Sequence, residues 1–314
     1  MPKSAVQRLH EDFSGITASK AATIAGVNPY QSPFALYQEM TGEAPPREQT
    51  FPMWLGTQME GIVIRAFTKE TGLKCRRPHR AVDPNFWFVT EEYGFPMGAL
   101  LDAITIDSSG EAGIEAKTAS AFLAGDWEDD VPVHYMMQIQ HQLAVTGFDH
   151  FYAAAIVGNK YVQHMVKRDD DLIAMLTDKE RKFYWEHLVA GVPPDVDGED
   201  STTAAIRSLF PRSEPEVSEV NDDPEIERLA MTYQSQGKTI EKLKKEREET
   251  GNRLKLILET RESLVSRSRK ISWKTQTASR FDLKAFRAAG WDKLVDMYMT
   301  ESETRPLKVT EVKS

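Results

Sequence analysis

A pair of strand-like segments joined by a short turn, residues 98–120, constrains this chain more than any other feature. Two apolar runs flank Asp107-Ser-Ser-Gly110, a composition typical of a β-hairpin turn. Residues two apart on a strand share a face, so Glu115 and Lys117 point the same way. Asp102 lies near the end of the first strand, close enough to face Glu115 and Lys117 on the second strand, although the register cannot be fixed from the sequence. The hairpin therefore predicts that Asp102 comes close to Glu115 and Lys117.

Two carboxylates and a lysine at one sheet edge form a site for a hard cation beside a fixed positive charge. Mg²⁺ prefers oxygen ligands and keeps several waters, so a pair of carboxylates is a typical protein contribution to its binding. A bound Mg²⁺ polarises a phosphoryl oxygen, and a nearby lysine can position the attacking water. Phosphodiester hydrolysis needs these parts. A Glu-x-Lys pair is also common on solvated strands. Taken alone, these residues are therefore more often an ordinary surface pair than a catalytic site.

The element pattern predicts a mixed sheet flanked by helices, followed by a helical extension. Three helices, three strands, a helix, two strands and a helix are predicted in that order through residue 191. Residues 196–224, rich in Pro, Asp, Glu and Ser, are a predicted linker. They separate a first domain, residues 1–195, from an extension, residues 225–314.

In the extension, apolar residues recur at alternating spacings of three and four. This spacing predicts a long helix or helical pair with an apolar seam, either packed on the rest of the chain or forming a coiled coil. Strands are predicted at 270–276 and 305–312, on either side of two short helices. The seam residues are Ile226, Leu229, Tyr233, Ile240, Leu243, Leu254, Ile257 and Leu264.

Charge is unevenly distributed along the chain. The net charge is −9, but residues 221–314 carry 20 Lys and Arg against 16 Asp and Glu, leaving −13 on residues 1–220. An acidic part and a basic part suit metal chemistry in one place and phosphate contact in another. The single cysteine, Cys75, excludes an internal disulfide framework or a multi-cysteine metal site. A polar N-terminus and the absence of an apolar run of ~18 residues predict a cytoplasmic protein with no membrane partner.

Five short blocks in this chain occur in a recognisable order. They are Gly15-Ile-Thr-Ala-Ser19, Trp54-x-Gly56-x-x-x-Glu60, Asp102, Glu115-Ala-Lys117 and Tyr135-x-x-Gln138-x-Gln140. Together they resemble the lambda-exonuclease/YqaJ viral recombinase family, whose members are PD-(D/E)xK nucleases of phage recombination systems. The resemblance covers roughly residues 8–190, and its specificity comes from the order of the blocks.

This resemblance implies an α/β fold with a restriction-endonuclease-like core and a divalent-metal site. Asp102, Glu115 and the Ala116 carbonyl would hold one ion, and Glu60 would favour a second. The implied ion is Mg²⁺, with Mn²⁺ able to substitute. Lys117 would orient or activate the attacking water. The implied catalytic residues are Lys117, Glu115, Asp102 and Gln138.

The resemblance also implies contacts with DNA. Ser19 would contact the terminal phosphate and Tyr135 the substrate strand. Asp12 stands where family members place a phosphate-binding arginine, so Arg8 or the basic extension is the candidate replacement. Residues 253–274 have a local charge balance of +5. This segment either lines the DNA route or docks an annealing protein, or is a solvated helix face. Its candidate DNA-binding residues are Arg267, Arg269 and Lys270.

The implied function is that of a Mg²⁺-dependent 5′→3′ exonuclease acting on double-stranded DNA ends. It would leave 3′ single-stranded overhangs for a phage single-strand annealing protein, and would work as a ring-like homo-oligomer in a bacterial host cell. Two alternatives stay open: a structure-specific or restriction-like endonuclease, and a non-catalytic DNA-binding or assembly protein that works through the apolar seam. The last is favoured only if Asp102, Glu115 and Lys117 do not converge.

Overall fold

The computed structural model describes residues 13–44, 49–77, 87–213, 223–299 and 306–309. Two compact units divide the chain, residues 1–211 and 212–314. In the first unit the helices are α1 (Ala18–Ile24), α2 (Pro33–Thr41), α3 (Phe51–Thr71), α4 (Val133–Thr146), α5 (Asp170–Lys182) and α6 (Asp200–Leu209). A 3-10 helix, Ala121–Trp127, precedes α4, and a π-helix, Phe183–Val189, continues α5.

The strands of the first unit form two sheets. Five of them make a mixed sheet in the order β2-β5-β6-β7-β8, in which β6 and β7 run parallel and the other neighbours antiparallel. The other three form a small sheet in the order β1-β4-β3. The strands are β1 (Ile16–Thr17), β2 (Cys75–Arg76), β3 (Trp87–Thr90), β4 (Met97–Leu100), β5 (Ala103–Asp107), β6 (Gly110–Ala119), β7 (His150–Val157) and β8 (Lys160–Lys167). The predicted mixed α/β core is confirmed.

The parallel pair β6–β7 positions α4 beside the site. Parallel neighbours need a long crossover connection, and α4 supplies it. Ile139 and Leu143 of α4 belong to the same buried cluster as Phe151 of β7. On the opposite face, Val63 and Phe67 of α3 pack in a separate buried cluster with other residues of the sheet. Helices therefore cover both faces of the mixed sheet.

The second unit consists of one long helix followed by small elements. Helix α7 runs from Pro224 to Leu258, and β9 (Ser263–Val265) pairs with β10 (Lys270–Ser272) in a hairpin. Two short helices follow, α8 (Leu283–Ala288) and α9 (Asp292–Tyr298). The predicted long helix is confirmed, because α7 continues through both of its glycines, each of which costs only ~1 kcal/mol in a helix.

Three local predictions were wrong in detail. The strand predicted over 98–106 is two strands, since β4 joins the small sheet and β5 the mixed sheet. Leu264 lies in β9, because α7 ends at Leu258 and Glu259 follows with φ 52°. Residues 306–309, the described part of the strand predicted at 305–312, form no strand.

The predicted linker, residues 196–224, contains helix α6. Thr202 of this helix is buried, and its hydroxyl hydrogen-bonds to Ser32 Oγ at 2.6 Å. Residues 214–222 lie outside the described part of the chain. Part of the predicted linker is thus packed in the first unit, and the three-part domain division stays a prediction. Within the described ranges, no helix is long and apolar enough to cross a membrane.

Asp107, at the hairpin turn, is held by residues of β7. Its Oδ2 accepts hydrogen bonds from the Tyr152 hydroxyl at 2.6 Å and from His150 Nε2 at 2.7 Å. The Tyr152 bond, together with the Ser109 N–H and His150, lowers the pKa of Asp107 from 3.8 to about 2. The ionised carboxylate therefore fastens the turn to β7 at neutral pH.

Replacing this carboxylate should destabilise the fold in a pH-dependent way. We expect Asp107→Asn to lose about 2 kcal/mol of unfolding free energy at pH 7, since a pKa unit corresponds to about 1.4 kcal/mol. A lowered pKa contributes stability that is fully present above pH 3.8 and is lost as the pH falls through 2. Urea unfolding of both proteins from pH 7 to pH 2 measures this difference. A difference that does not shrink at low pH would contradict the assignment.

Candidate active site

The hairpin β5–β6 brings Asp102 to Glu115. Ala103 pairs with Ile114, so the register continued by one residue places Asp102 opposite Glu115. The Ala116 N–H donates to Asp102 Oδ2 at 2.8 Å. The predicted convergence of these two carboxylates is therefore confirmed.

Glu115 is the most heavily bonded side chain of the site. It is only 4% exposed, and Lys117 Nζ lies 2.5 Å from its Oε1. Gln138 Nε2 donates to the same oxygen at 2.6 Å, while Gln142 Nε2 donates to Oε2 at 2.6 Å. Lys117 also donates to Gln138 Oε1 at 3.0 Å. Sheet and crossover helix are thus joined through one carboxylate.

Burial and neighbouring charges shift the pKa values of three ionisable groups of the site. Burial, followed by the charges of Glu115 and Glu60, raises the pKa of Asp102 well above its usual value. Burial and Glu115 likewise raise the pKa of Glu60, which places this α3 residue within the same electrostatic field. Burial alone would lower the pKa of Lys117, but Glu115 and Asp102 outweigh it and the pKa is raised. Lys117 is therefore an ammonium ion at neutral pH.

The donor set suits a hard divalent cation. Asp102, Glu115 and the Ala116 carbonyl offer only oxygen, the ligand that Mg²⁺ prefers. Asp102 Oδ1 has no hydrogen bond to any described residue. Burial, followed by the neighbouring carboxylates Glu115 and Glu60, raises the pKa of Asp102, and a bound cation would offset that repulsion. Among the described residues, no group of three or more His, Cys, Asp or Glu side chains is already drawn together around one point. The two carboxylates thus fit an ion chemically, and Glu60 is linked to them by the effect of the Glu115 charge on its pKa.

Two of the predicted DNA contacts lie at accessible positions. Ser19 is exposed on α1, and its Oγ lies 3.3 Å from Thr17 Oγ1. Tyr135 is partly exposed, and Lys117 Nζ stands 4.9 Å from the centre of its ring. Tyr135 therefore borders the site directly. Arg8, the third predicted contact in this region, lies outside the described residues.

The basic segment of the second unit contains both paired and free cations. Arg267, Arg269 and Lys270 are exposed at the β9–β10 turn, and none has an ion-pair partner within the described ranges. Four of the seven cations of the segment are paired with acids, two of them on the helix, whereas the three at the turn have no ion pair among the described residues. The paired cations are Arg253 with Glu249, Lys255 with Glu248, Arg261 with Glu259 and Lys274 with Glu262.

Two residues near the site were missed by sequence reasoning. Gln142 follows Gln138 by four residues, a spacing that places both on one helix face and could have identified it. Arg77 follows β2, and its charge lowers the pKa of Glu60 against the larger raising effects. No local pattern marks Arg77, because its proximity depends on the pairing of β2 with β5.

Asp102 faces Glu115-x-Lys117 across a hairpin, in a mixed sheet with helices on both faces, which is the arrangement implied by the resemblance to PD-(D/E)xK nucleases. Residues 8–149 match the sequence model of the YqaJ-like viral recombinase domain. This match confirms the resemblance noted from the five blocks. A relative from Bacillus subtilis (strain 168), the uncharacterized protein YqaJ, is 28% identical over 295 residues, which cover 92% of this chain and 88% of that protein.

Solved structures of exonucleases are also similar to part of the chain. The alkaline exonuclease LHK-Exo from Laribacter hongkongensis is 22% identical, with a TM-score of 0.41 over 57% of this chain and 90% of that chain. Its complex with dAMP gives 21% identity and a TM-score of 0.42 over the same shares. A phage related exonuclease from Haemophilus somnus 129PT is 12% identical, with a TM-score of 0.42 over 56% of this chain and 96% of that chain. The resemblance to the YqaJ-like family rests on the sequence match and not on these superpositions.

Proposed function

We propose that this protein is a divalent-metal-dependent nuclease that degrades double-stranded DNA from its ends. The observation that carries the proposal is the convergence of Asp102, Glu115 and Lys117 at the end of the β5–β6 hairpin. Gln138, supplied by the crossover helix, completes the polar site. A surface ion pair would not require this buried arrangement of acids, amides and lysine.

The residues of the site have separable roles in phosphodiester hydrolysis. Asp102, Glu115 and the Ala116 carbonyl would hold Mg²⁺, with Mn²⁺ able to substitute, and Glu60 would favour a second ion. When bound, the ions polarise the phosphoryl oxygen and help to generate hydroxide from water. Lys117, as an ammonium ion, orients the attacking water and stabilises the extra negative charge of the transition state. Gln138 fixes the direction of Lys117, since its Oε1 accepts the lysine hydrogen bond.

The resemblance to the YqaJ-like viral recombinase family supports the finer parts of the proposal. We propose 5′→3′ polarity, 3′ single-stranded products and a ring-like homo-oligomer that keeps hold of the duplex between cuts. A single-strand annealing protein of a phage-type recombination system is the proposed partner, in the cytoplasm of a bacterial host. Ser19 and Tyr135 would contact the strand that is cut.

Cutting of linear and closed circular duplex distinguishes this proposal from its alternatives. With Mg²⁺ present, we expect the linear duplex to be degraded and the covalently closed circle to stay intact. Cleavage of the circle would favour a structure-specific or restriction-like endonuclease instead. Binding of either substrate without cleavage would favour a non-catalytic DNA-binding or assembly protein. Chelation of the metal serves as the control and should stop degradation of the linear substrate.

The free cations of the β9–β10 turn are proposed to contact DNA phosphates. Each neutralised phosphate releases counterions, so the logarithm of affinity falls with the logarithm of salt by roughly 0.9 per contact. Changing Arg267, Arg269 and Lys270 to Glu should weaken duplex binding and reduce the salt slope by about two to three units. Fluorescence anisotropy over a salt series measures this slope.

A matched variant of paired cations controls for the change in net charge. Arg253, Lys255 and Arg261 already face acids, so changing them to Glu should alter the slope less. Single-turnover cutting of pre-bound ends should change little in either variant. An equal salt slope in the turn variant and the wild type would exclude the turn from the DNA path and leave protein–protein assembly as its proposed role.

A further inference from the structure

Both oxygens of the Glu115 carboxylate are held by amides from the same helix. Gln138 and Gln142 stand four residues apart on α4 and therefore share one face. Each donates from Nε2 at 2.6 Å, Gln138 to Oε1 and Gln142 to Oε2. A carboxylate bonded at both oxygens cannot rotate about its terminal torsion without breaking at least one bond. The helix thus fixes the plane of this carboxylate.

The two glutamines differ in what else they can reach. Gln138 is partly exposed and also accepts from Lys117, so it can contact substrate or water. Gln142 is 0% exposed, and the only hydrogen bond of its side chain within the described residues is the one to Glu115. It has no route to DNA. Any influence of Gln142 on chemistry must therefore pass through Glu115.

Gln142 is not explained by stability alone. Its Oε1 is buried and has no hydrogen-bond partner in the described part of the chain. Leaving an amide oxygen unpaired in the interior costs on the order of 1–3 kcal/mol. An apolar side chain of similar size would avoid this cost only by removing the donor of the buried Glu115 Oε2. The orientation of the amide is set by Glu115, because the reverse orientation would place two acceptors together. The unpaired Oε1 is therefore the cost of keeping the Gln142 amide hydrogen-bonded to the Glu115 carboxylate.

We propose that Gln142 is a positioning residue that holds Glu115 ready to bind a divalent cation. The proposal rests on the function proposed above, because it takes Glu115 as a metal ligand. Partners that orient a ligand carboxylate commonly contribute 10–100-fold to metal affinity. Gln142 would act before the metal binds, by removing the need to reorder Glu115. Its loss should affect metal affinity more than the rate at saturating metal.

Gln142→Met tests this role, since methionine has a similar length and keeps the interior filled. Titration of the purified full chain with Mn²⁺ alone, followed by electron paramagnetic resonance, should show about 10–100-fold weaker binding than the wild type. The Mg²⁺ concentration for half-maximal cutting of linear duplex should rise by a similar factor. The cutting rate at saturating Mg²⁺ should stay within several-fold of the wild type.

Gln140→Met is the matched control on the same helix. Gln140 is also buried, but it bonds to the Lys167 carbonyl and the Asp169 N–H, away from Glu115. We expect this control to leave Mn²⁺ affinity within about threefold of the wild type, well inside the shift expected for Gln142.

Gln142→Asn keeps the interior polar but withdraws the amide by one carbon. It should reproduce the loss of Mn²⁺ affinity if Gln142→Met fails to fold. A folded Gln142 variant with wild-type Mn²⁺ affinity would overturn the proposal, as would an equal loss in the Gln140 control. The nuclease proposal fails separately, if the wild type binds Mn²⁺ but leaves linear DNA uncut.

Discussion

Replacing Lys117 by alanine is expected to abolish DNA cutting while leaving DNA binding and metal binding in place. Lys117 makes an ion pair with Glu115 and is held as an ammonium ion. Removing a single donor that stabilises developing negative charge typically costs 10²–10³-fold in rate. Its removal also takes a positive charge from beside the carboxylates, so the affinity for Mn²⁺ should be unchanged or higher. Single-turnover cutting and Mn²⁺ titration on the same preparation measure both effects.

A lysine elsewhere on the mixed sheet controls for this substitution. Lys160 is exposed on β8 and makes no ion pair with a described residue. Lys160→Ala should therefore cut DNA at the wild-type rate. If Lys117→Ala keeps even about a tenth of that rate, the role given to this lysine is wrong, because the expected loss is at least tenfold larger.

Asp102→Asn is expected to remove activity through the metal site and not through the fold. Losing a direct ligand should cost more than the 10–100-fold attributed to an orienting partner, so cutting at fixed Mg²⁺ should fall by at least about 100-fold. A higher concentration of Mg²⁺ or Mn²⁺ should restore part of the lost cutting rate. Glu115→Gln should behave similarly, and Glu60→Gln should lose less because Glu60 is proposed to serve only a second ion.

Thermal unfolding without metal separates this explanation from misfolding. The raised pKa of Asp102 means that its ionised form is disfavoured in the folded protein. Asparagine removes that unfavourable charge and can still accept from the Ala116 N–H. The metal-free variant should therefore melt at or above the wild-type temperature. A fully active Asp102→Asn protein, or one that melts well below the wild type, would contradict this interpretation.

Much of the site was predictable because its signals are local. The apolar runs on either side of the turn predict the hairpin. The helical spacing of apolar residues within 133–146 predicts α4, which has the same bounds in the structure. Glu115 and Lys117 share a face by strand geometry alone. That Asp102 lies opposite Glu115 could not be predicted without the register of the hairpin, and this register is fixed only by the pairing of β5 with β6. Family resemblance supplied the link between these elements that local patterns could not.

The features that were missed depend on contacts between distant parts of the chain. The strand predicted over 98–106 divides because β4 pairs with β1 and β3, whereas β5 pairs with β6. Helix α6 forms in a polar, proline-bounded segment because Thr202 is buried against Ser32. The end of α7 carries no glycine signal, since Glu259 itself adopts positive φ. Local composition does not report such long-range pairing.

Degradation of an end-labelled linear duplex tests the central claim most directly. A duplex labelled at one 5′ end and its 3′-labelled counterpart are each incubated with the full chain and Mg²⁺, with the Lys117→Ala protein alongside. We expect the wild type to release the 5′ label early as a short product, while the 3′ label stays on long single strands. Lys117→Ala should leave both labels in duplex. Early release of the 3′ label would contradict the proposed polarity, and intact duplex with the wild type would contradict the assignment of Asp102, Glu115 and Lys117 as a nuclease site.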